Sequence, residues 1–376
     1  MREVAKGYMM KTKRTAVGSD DKYYERTGEA KDSIAQWEDG IRTGGKKGTY
    51  EWWYFDSHFS DGSSLVIVFF TKDVMQPNKT LSPLARIDFT TADGKNYSET
   101  VEIGAGTFAA SEKCCDVQIG SCYFKGDLQT YDICFSNDVI EAVVSLKGNV
   151  PAWRPETGYF FFGDEDEHYF AWLPAVPEGN VEATITISGE TTQYSGTGYH
   201  DHNWGNTPMP KLINHWYWGR AKVGSYQIIT SYITAEKEYG YDEFPIFMLA
   251  KDGQIIADDA QNSLTFTTSD AYIDVVTKKP VYNTLVFDYE DDTQHYRITY
   301  KRESDLMTEE LVNMISGIKR LIAKIIGFDG ACHRFGGTVT VERLENGLVV
   351  ESVSDHAIWE LMYFGHIMPI QTPCSR

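Results

Sequence analysis

Trp53-Tyr54-Phe55 runs through Gly62-Ser63 into a strand-like stretch ending Phe69-Phe70-Thr71. Trp216-Tyr217-Trp218 runs through Gly224-Ser225 into one ending Tyr232-Ile233-Thr234. Each copy reads as strand, glycine turn, strand, and the two lie about 160 residues apart, close to the size of one lipocalin-like barrel. The repeat predicts an all-β chain built as two tandem antiparallel β-barrels or sandwiches, with barrels preferred.

Working outward, Asp61-Gly62, Asp93-Gly94, Asp252-Gly253 and Asn346-Gly347 each sit between β-rich runs, a strong hairpin signal because the turn needs left-handed backbone. Alternation at Ala183-Thr184-Ile185-Thr186-Ile187 and Tyr296-Arg297-Ile298-Thr299-Tyr300 predicts strands with one apolar face. One segment differs. Leu311, Met314, Ile315, Ile318, Leu321, Ile322 and Ile325 recur at helical spacing, predicting an amphipathic helix over 305–326 stopped by Gly327. Such a helix packs on a barrel, or makes peripheral membrane contact where a greasy substrate resides. The expected division is a polar N-terminal arm over 1–48, a β domain over 49–190, and a second over 191–376 that carries the helix.

A net charge of −19 repels phosphate backbones, and no basic cluster offsets it, so nucleic-acid binding is excluded. The six cysteines show no CxxC pair, the N-terminus has no apolar leader, and no run is long enough to span a membrane. A cytoplasmic protein is expected. Aromatics reach 14%, which suits strands and also suits the lining of an apolar cavity.

The chemistry-bearing residues concentrate in Tyr199-His200-Asp201-His202-Asn203-Trp204-Gly205 and His215-Trp216-Tyr217-Trp218-Gly219-Arg220. In an extended strand, period 2 puts His200, His202 and Trp204 on one face and Tyr199, Asp201 and Asn203 on the other. A histidine can act as acid or base near neutrality, and a buried aspartate can orient it or serve itself as an acid with raised pKa. Glu51 beside Trp52-Trp53 is either a desolvated acid or a structural partner of Arg154 or Arg220. His200, His202 and His215 are conceivable metal ligands, but no carboxylate stands at a recognisable ligand spacing, so no metal and no other cofactor is expected. Asp164-Glu165-Asp166-Glu167 reads as a solvated loop. No nucleotide-binding glycine motif, nucleophile elbow or zinc-protease motif is present.

These stretches resemble the carotenoid 1,2-hydratase (hydroxyneurosporene synthase) and AttH-like lipocalin superfamily. The resemblance rests on Glu51-Trp52-Trp53-Tyr54-Phe55, Tyr199 to Gly205, Trp216 to Arg220 and the closing Glu360-Leu361-Met362-Tyr363-Phe364-Gly365. It implies two lipocalin-like barrels with an apolar ligand site in or between them, in a superfamily that includes kievitone hydratase and decalin-forming Diels–Alderases. It further implies catalytic roles at His202 and Trp204, and at a tyrosine falling on Tyr232. The family's nearby aspartate is replaced here by Thr234, which leaves the acid to be found among Asp201, Asp242 and Glu51.

The expected activity is a hydratase or dehydratase acting on a hydrophobic isoprenoid, polyene or polyketide-like molecule. His202, Asp201, Trp204, Tyr232 and His200 would be catalytic, while Glu51, Trp53, Asn203, Trp216, Trp218 and Tyr199 would contact substrate. A cyclase that folds a polyene and a non-catalytic carrier remain as alternatives.

Overall fold

The computed structural model describes residues 12–74, 76–259, 263–313 and 329–364. Two antiparallel sheets hold the strands, and each curls into a half-barrel around its own core. In the first, the strands run in the order Asn96–Glu102, Leu84–Thr90, Ser64–Phe70, Tyr50–Phe59, Glu190–Gly205, His168–Ile187, Ile140–Gly148, Thr130–Ser136, Cys122–Gly126, Cys115–Ile119 and Phe108–Ala110. The second runs Gln254–Asp259, Glu243–Lys251, Tyr226–Ala235, Ile213–Val223, Leu348–Tyr363, Ala331–Glu345, His295–Glu310, Pro280–Glu290 and Leu264–Ile273. In both, the last strand in sequence returns to pair with the first of the meander, so the repeat in the sequence is a repeat of topology. Trp53 pairs with Phe69 and Tyr217 with Tyr232, each pair facing its own barrel, so the two hairpins match with Trp53 in the place of Tyr217, one residue on from Trp216.

The turns obey their residues. Asp252 and Gly253, and Asn346 and Gly347, all have positive φ and form two-residue hairpin loops. Ser188-Gly189 makes a third such turn that the sequence reading missed.

Alternation on each strand sorts side chains between three cores. Trp53, Phe55, Phe69, Phe124 and Trp204 fill the first barrel; Tyr217, Phe247, Phe287, Tyr300 and Trp359 fill the second. A third cluster lies between them, where Tyr50, Trp172, Tyr199, Ile229, Ile233 and Phe244 are buried. Each such buried aromatic or aliphatic side chain contributes about 1.5–3 kcal/mol relative to exposure. The barrels also exchange polar contacts: Arg220 pairs with Asp56, Lys222 with Glu178 at 3.1 Å, and the Trp153 indole donates to Asp258 at 2.9 Å.

Several expectations change. The arm is folded: Thr15–Val17 pairs with Tyr159–Phe162, a short helix follows at Asp21–Thr27, and a 3-10 turn at Gln36–Asp39 enters the first barrel. The acidic loop is only partly solvated, because Asp166 is buried and accepts from the Tyr23 hydroxyl at 2.9 Å. The predicted helix does not begin at Asp305, since the His295–Glu310 strand runs through that point, pairing Glu310 with Ala331. Leu311–Asn313 forms a 3-10 turn, and residues 314–326 of that prediction lie outside the described residues. The changeover between sheets falls between Gly205 and Ile213, not at 190, because the whole Glu190–Gly205 strand is hydrogen-bonded within the first sheet. We propose each sheet, with the arm on the first, as one domain. Among the described residues no helix is long and apolar enough to cross a membrane.

Candidate active site

The Glu190–Gly205 strand has the two faces that its sequence implies, and they do different things. His200, His202 and Trp204 point into the first barrel, where His202 lies between the rings of Trp53 and Trp204 at 4.6 and 4.7 Å. Its Nε2–H donates to Glu51 at 3.0 Å. Its Nδ1 stands 3.4 Å from Asp39, close enough for charge attraction yet too poorly aligned for a hydrogen bond. Burial opposes a charged His202, but Asp39 and Glu51 outweigh it and hold the imidazole above its ordinary pKa. Asp39 goes the other way: burial would raise it, and the two histidines together pull it well below the carboxylate range.

The rest of the network is saturated. Glu51 also accepts from the Arg42 and Thr43 backbone N–H groups at 2.5 and 2.9 Å and from the Thr43 hydroxyl at 2.6 Å. Neither Arg154 nor Arg220 is its partner; these pair with Glu38 and Asp56. His200 bridges the Tyr54 carbonyl (2.8 Å) and Asp39 (3.2 Å), which also accepts from Tyr131 at 2.6 Å. All of Asp39, Glu51, His200 and His202 are buried, and side chains fill the barrel around them. Asp39, Cys115 and His200 have possible ligand atoms within 4.8 Å of one another. Yet burial and Asp39 push the Cys115 thiol far up, and the Asp39 oxygen facing His200 is already taken by Tyr131, so the trio reads as core.

The opposite face opens on a cavity of about 170 Å³ between the barrels. The first barrel supplies Trp52, Tyr54, Phe170, Trp172, Asp201 and Asn203; the second supplies Trp216, Trp218, Ser231, Ile233, Arg334 and Glu360. Pairing explains the convergence. Tyr54 is opposite Asp201 and Trp52 opposite Asn203, while Trp218 is flanked by Ser231 and Glu360, and Arg334 is opposite Glu360. Tyr54, Trp218, Arg334 and Glu360 also line an adjoining outer groove of about 380 Å³. Small-molecule sites usually span about 300–1,000 Å³, so a ligand here uses the groove as well as the chamber.

Asp201 is one of two carboxyl groups that line this chamber. One oxygen accepts from the Trp172 indole (2.9 Å) and the Tyr199 hydroxyl (2.8 Å), the other from the Asn203 amide (2.7 Å). These donors favour the carboxylate, but burial wins and raises its pKa to about 6. Across the chamber, half-buried Glu360 accepts from the Trp216 indole at 3.1 Å. Burial raises it too, against the pull of Arg334 and Trp216.

Of the residues expected to act, Asp201, Asn203, Trp216 and Trp218 meet at the chamber, and Tyr199 supports Asp201 from the same strand face. His200, His202, Trp204, Glu51 and Trp53 do not reach it, because strand alternation turns them into the filled first barrel. Tyr232 faces the second barrel, stacked on Phe266 at 4.0 Å. His215 is half-buried and stacked on Tyr363, its pKa driven down to about 3 by desolvation and Lys279. The reading missed Trp52, Tyr54, Phe170, Trp172, Arg334 and Asp39. Trp52 and Tyr54 had a signal, their period-2 alternation with Trp53; the others had none. A wider groove of about 890 Å³ lies elsewhere, lined by loops around Arg154. Arg154 is consumed by Glu38 there, and a single indole, Trp153, lines the groove with its N–H spent on Asp258, where the chamber gathers four.

Residues 32–311 match the Diels-Alderase-like family, and the chain belongs to it. Among curated relatives, it is 29% identical to hydroxyneurosporene dehydrogenase of Chlorobaculum tepidum, over 46% of this chain and 53% of that one. It is 26% identical to the quinolone epoxide rearrangement protein of Emericella nidulans, over 48% and 53%. The matches thus span about half the length of these relatives. Its fold is similar to that of kievitone hydratase from Nectria haematococca, with a TM-score of 0.53 and 13% identity over 94% of this chain and 98% of that one.

Proposed function

We propose that this protein is an acid–base lyase of the hydratase or dehydratase type, working on a hydrophobic small molecule held between its barrels. One observation carries the reading: Asp201 is a buried carboxyl with a pKa near 6, set in a chamber walled by Trp52, Trp172, Trp216 and Trp218. Adding water to an alkene requires a proton from a dry acid and then capture of a carbocation by water. Asp201 delivers the proton; Tyr199, Trp172 and Asn203 hold it in place and take up its negative charge afterwards. Each indole face stabilises the cation by about 0.5–2 kcal/mol. Glu360, on the facing barrel, accepts the proton lost by the entering water. Run in reverse, the same groups remove water. His202, Glu51 and Asp39 act beneath the site as a scaffold that fixes the strand bearing Asp201.

A second reading follows from family membership: a cyclase in which the chamber folds a polyene and Asp201 or an indole N–H polarises a carbonyl. The test incubates the protein with the hydrophobic metabolite extract of its source in deuterated water. The lyase yields a product differing by one water and, on hydration, carrying solvent deuterium on carbon. A product of unchanged mass without deuterium favours the cyclase, and a ligand retained unaltered by wild type and Asp201→Asn alike sinks both readings in favour of a carrier.

A further inference from the structure

Three long cationic side chains line the groove between the barrels, and they are not equivalent. Arg220 is tied to Asp56 and lies over the Tyr199 ring at 5.2 Å. Lys222 is tied to Glu178 at 3.1 Å. Arg334 has no hydrogen bond, ion pair or ring contact among the described residues, although the chain carries a net charge of −19 and offers carboxylates in excess. Its cross-strand neighbour Glu360 is not within ion-pair distance and spends its Oε1 on the Trp216 indole instead. Arg334 is also the sole cation lining the inner chamber among the described residues, and it stands where the chamber meets the outer groove. It projects there because Cys332, Arg334 and Gly336 alternate with His333 and Phe335, which face the second barrel's side of the sheet.

We infer that Arg334 receives an anionic group of the substrate, a carboxylate or an enolate, and that the substrate is therefore an acidic amphiphile and not a pure hydrocarbon. The inference rests on the chamber being the substrate site. A guanidinium offers two parallel N–H donors to a carboxylate or an enolised dicarbonyl, a fit that fixes orientation as well as affinity. The anionic group sits at the junction, the adjacent carbons project inward against Trp216 and Trp218 towards Asp201, and the remaining chain lies along the groove. Arg334 is thus a positioning and specificity residue, setting which carbon meets the acid.

Decanoate and decan-1-ol are the probes, matched in chain length and titrated into the full chain by calorimetry. Wild type binds decanoate at least about tenfold more tightly than decan-1-ol, a preference that weakens as salt is raised. Arg334→Gln loses that preference, with decanoate weakened about tenfold and decan-1-ol changed less than about twofold; Arg334→Lys retains part of it. Arg334 is exposed and unpaired, so these variants fold normally. Equal affinity of wild type for both probes, or unchanged decanoate binding in Arg334→Gln, overturns the inference. Trp218→Ala separates the two levels. If it weakens decan-1-ol while Arg334→Gln leaves decanoate untouched, only the head-group assignment fails. Should it leave both probes unaffected, or should neither probe bind, the chamber itself is not the site.

Discussion

At the scale of single residues, one peptide step separates the proposed acid from a purely structural neighbour. Asp201 and His202 are adjacent, yet one faces an open chamber and the other a packed barrel. Asp201→Asn should lower turnover by about 10²–10⁴ while ligand affinity persists, read as kcat against Kd. The proposed role requires Asp201 protonated, and its pKa is raised to about 6, so kcat/KM for hydration should fall as pH rises above about 6; a flat profile across that range would remove it as the acid. His202→Ala should instead cost about 3–5 kcal/mol of stability, because it takes the imidazole away from two buried carboxylates and leaves Glu51 with neutral donors only. The pH dependence has a definite sign. The folded pKa of His202 lies above 6.5, so its stabilisation is complete below 6.5 and is lost as pH rises through the folded value. Asp39 has a folded pKa below 3.8, so its share is present above 3.8 and is lost as pH falls through the folded value. Urea midpoints of wild type should therefore decline on the alkaline side, and His202→Ala should flatten that limb.

At the scale of elements, turns and strands were legible where local chemistry leaves no choice. Asp252-Gly253 and Asn346-Gly347 need positive φ, and their hairpins form as read. Gly347→Ala meets no atom within 4 Å, so it should cost only the left-handed backbone penalty of about 1–2 kcal/mol. Gly205→Ala should cost more in the same denaturation assay. A Cβ there would lie 2.3 Å from the Tyr50 hydroxyl and 2.9 Å from the Tyr169 carbonyl, adding about 1–3 kcal/mol of overpacking to a strand that carries the site. The helix expected from Asp305 shows the limit of periodicity. Strand pairing with Ala331–Glu345 extends to Glu310, through register shifts near Ser304 and Met307, because a neighbouring strand already offers its hydrogen bonds there.

At the scale of the molecule, the site exists only because two half-barrels meet. Arg220 from one and Asp56 from the other form a mostly buried pair on the chamber's border. Arg220→Ala leaves Asp56 uncompensated, and should lower stability and loosen the groove together. The expected reading is an earlier unfolding transition with weaker ligand binding; a variant with wild-type stability would mean that the pair does not hold the barrels.

By itself the sequence determined the repeat, the all-β class, the hairpins and the two-faced strand Tyr199 to Trp204, since all of these follow from alternation and turn chemistry between near neighbours. It also marked Asp201, Asn203, Trp216 and Trp218. Tertiary structure alone decided which face of that strand would be packed and which would open on a chamber. Burial depends on what lies opposite: Asp39, brought in by the folded arm, closes over His200 and His202, whereas the second barrel stands off from Asp201 far enough to leave a chamber. Arg334 and Glu360 enter the site from strands more than a hundred residues away, and no local pattern encodes a contact made across that distance.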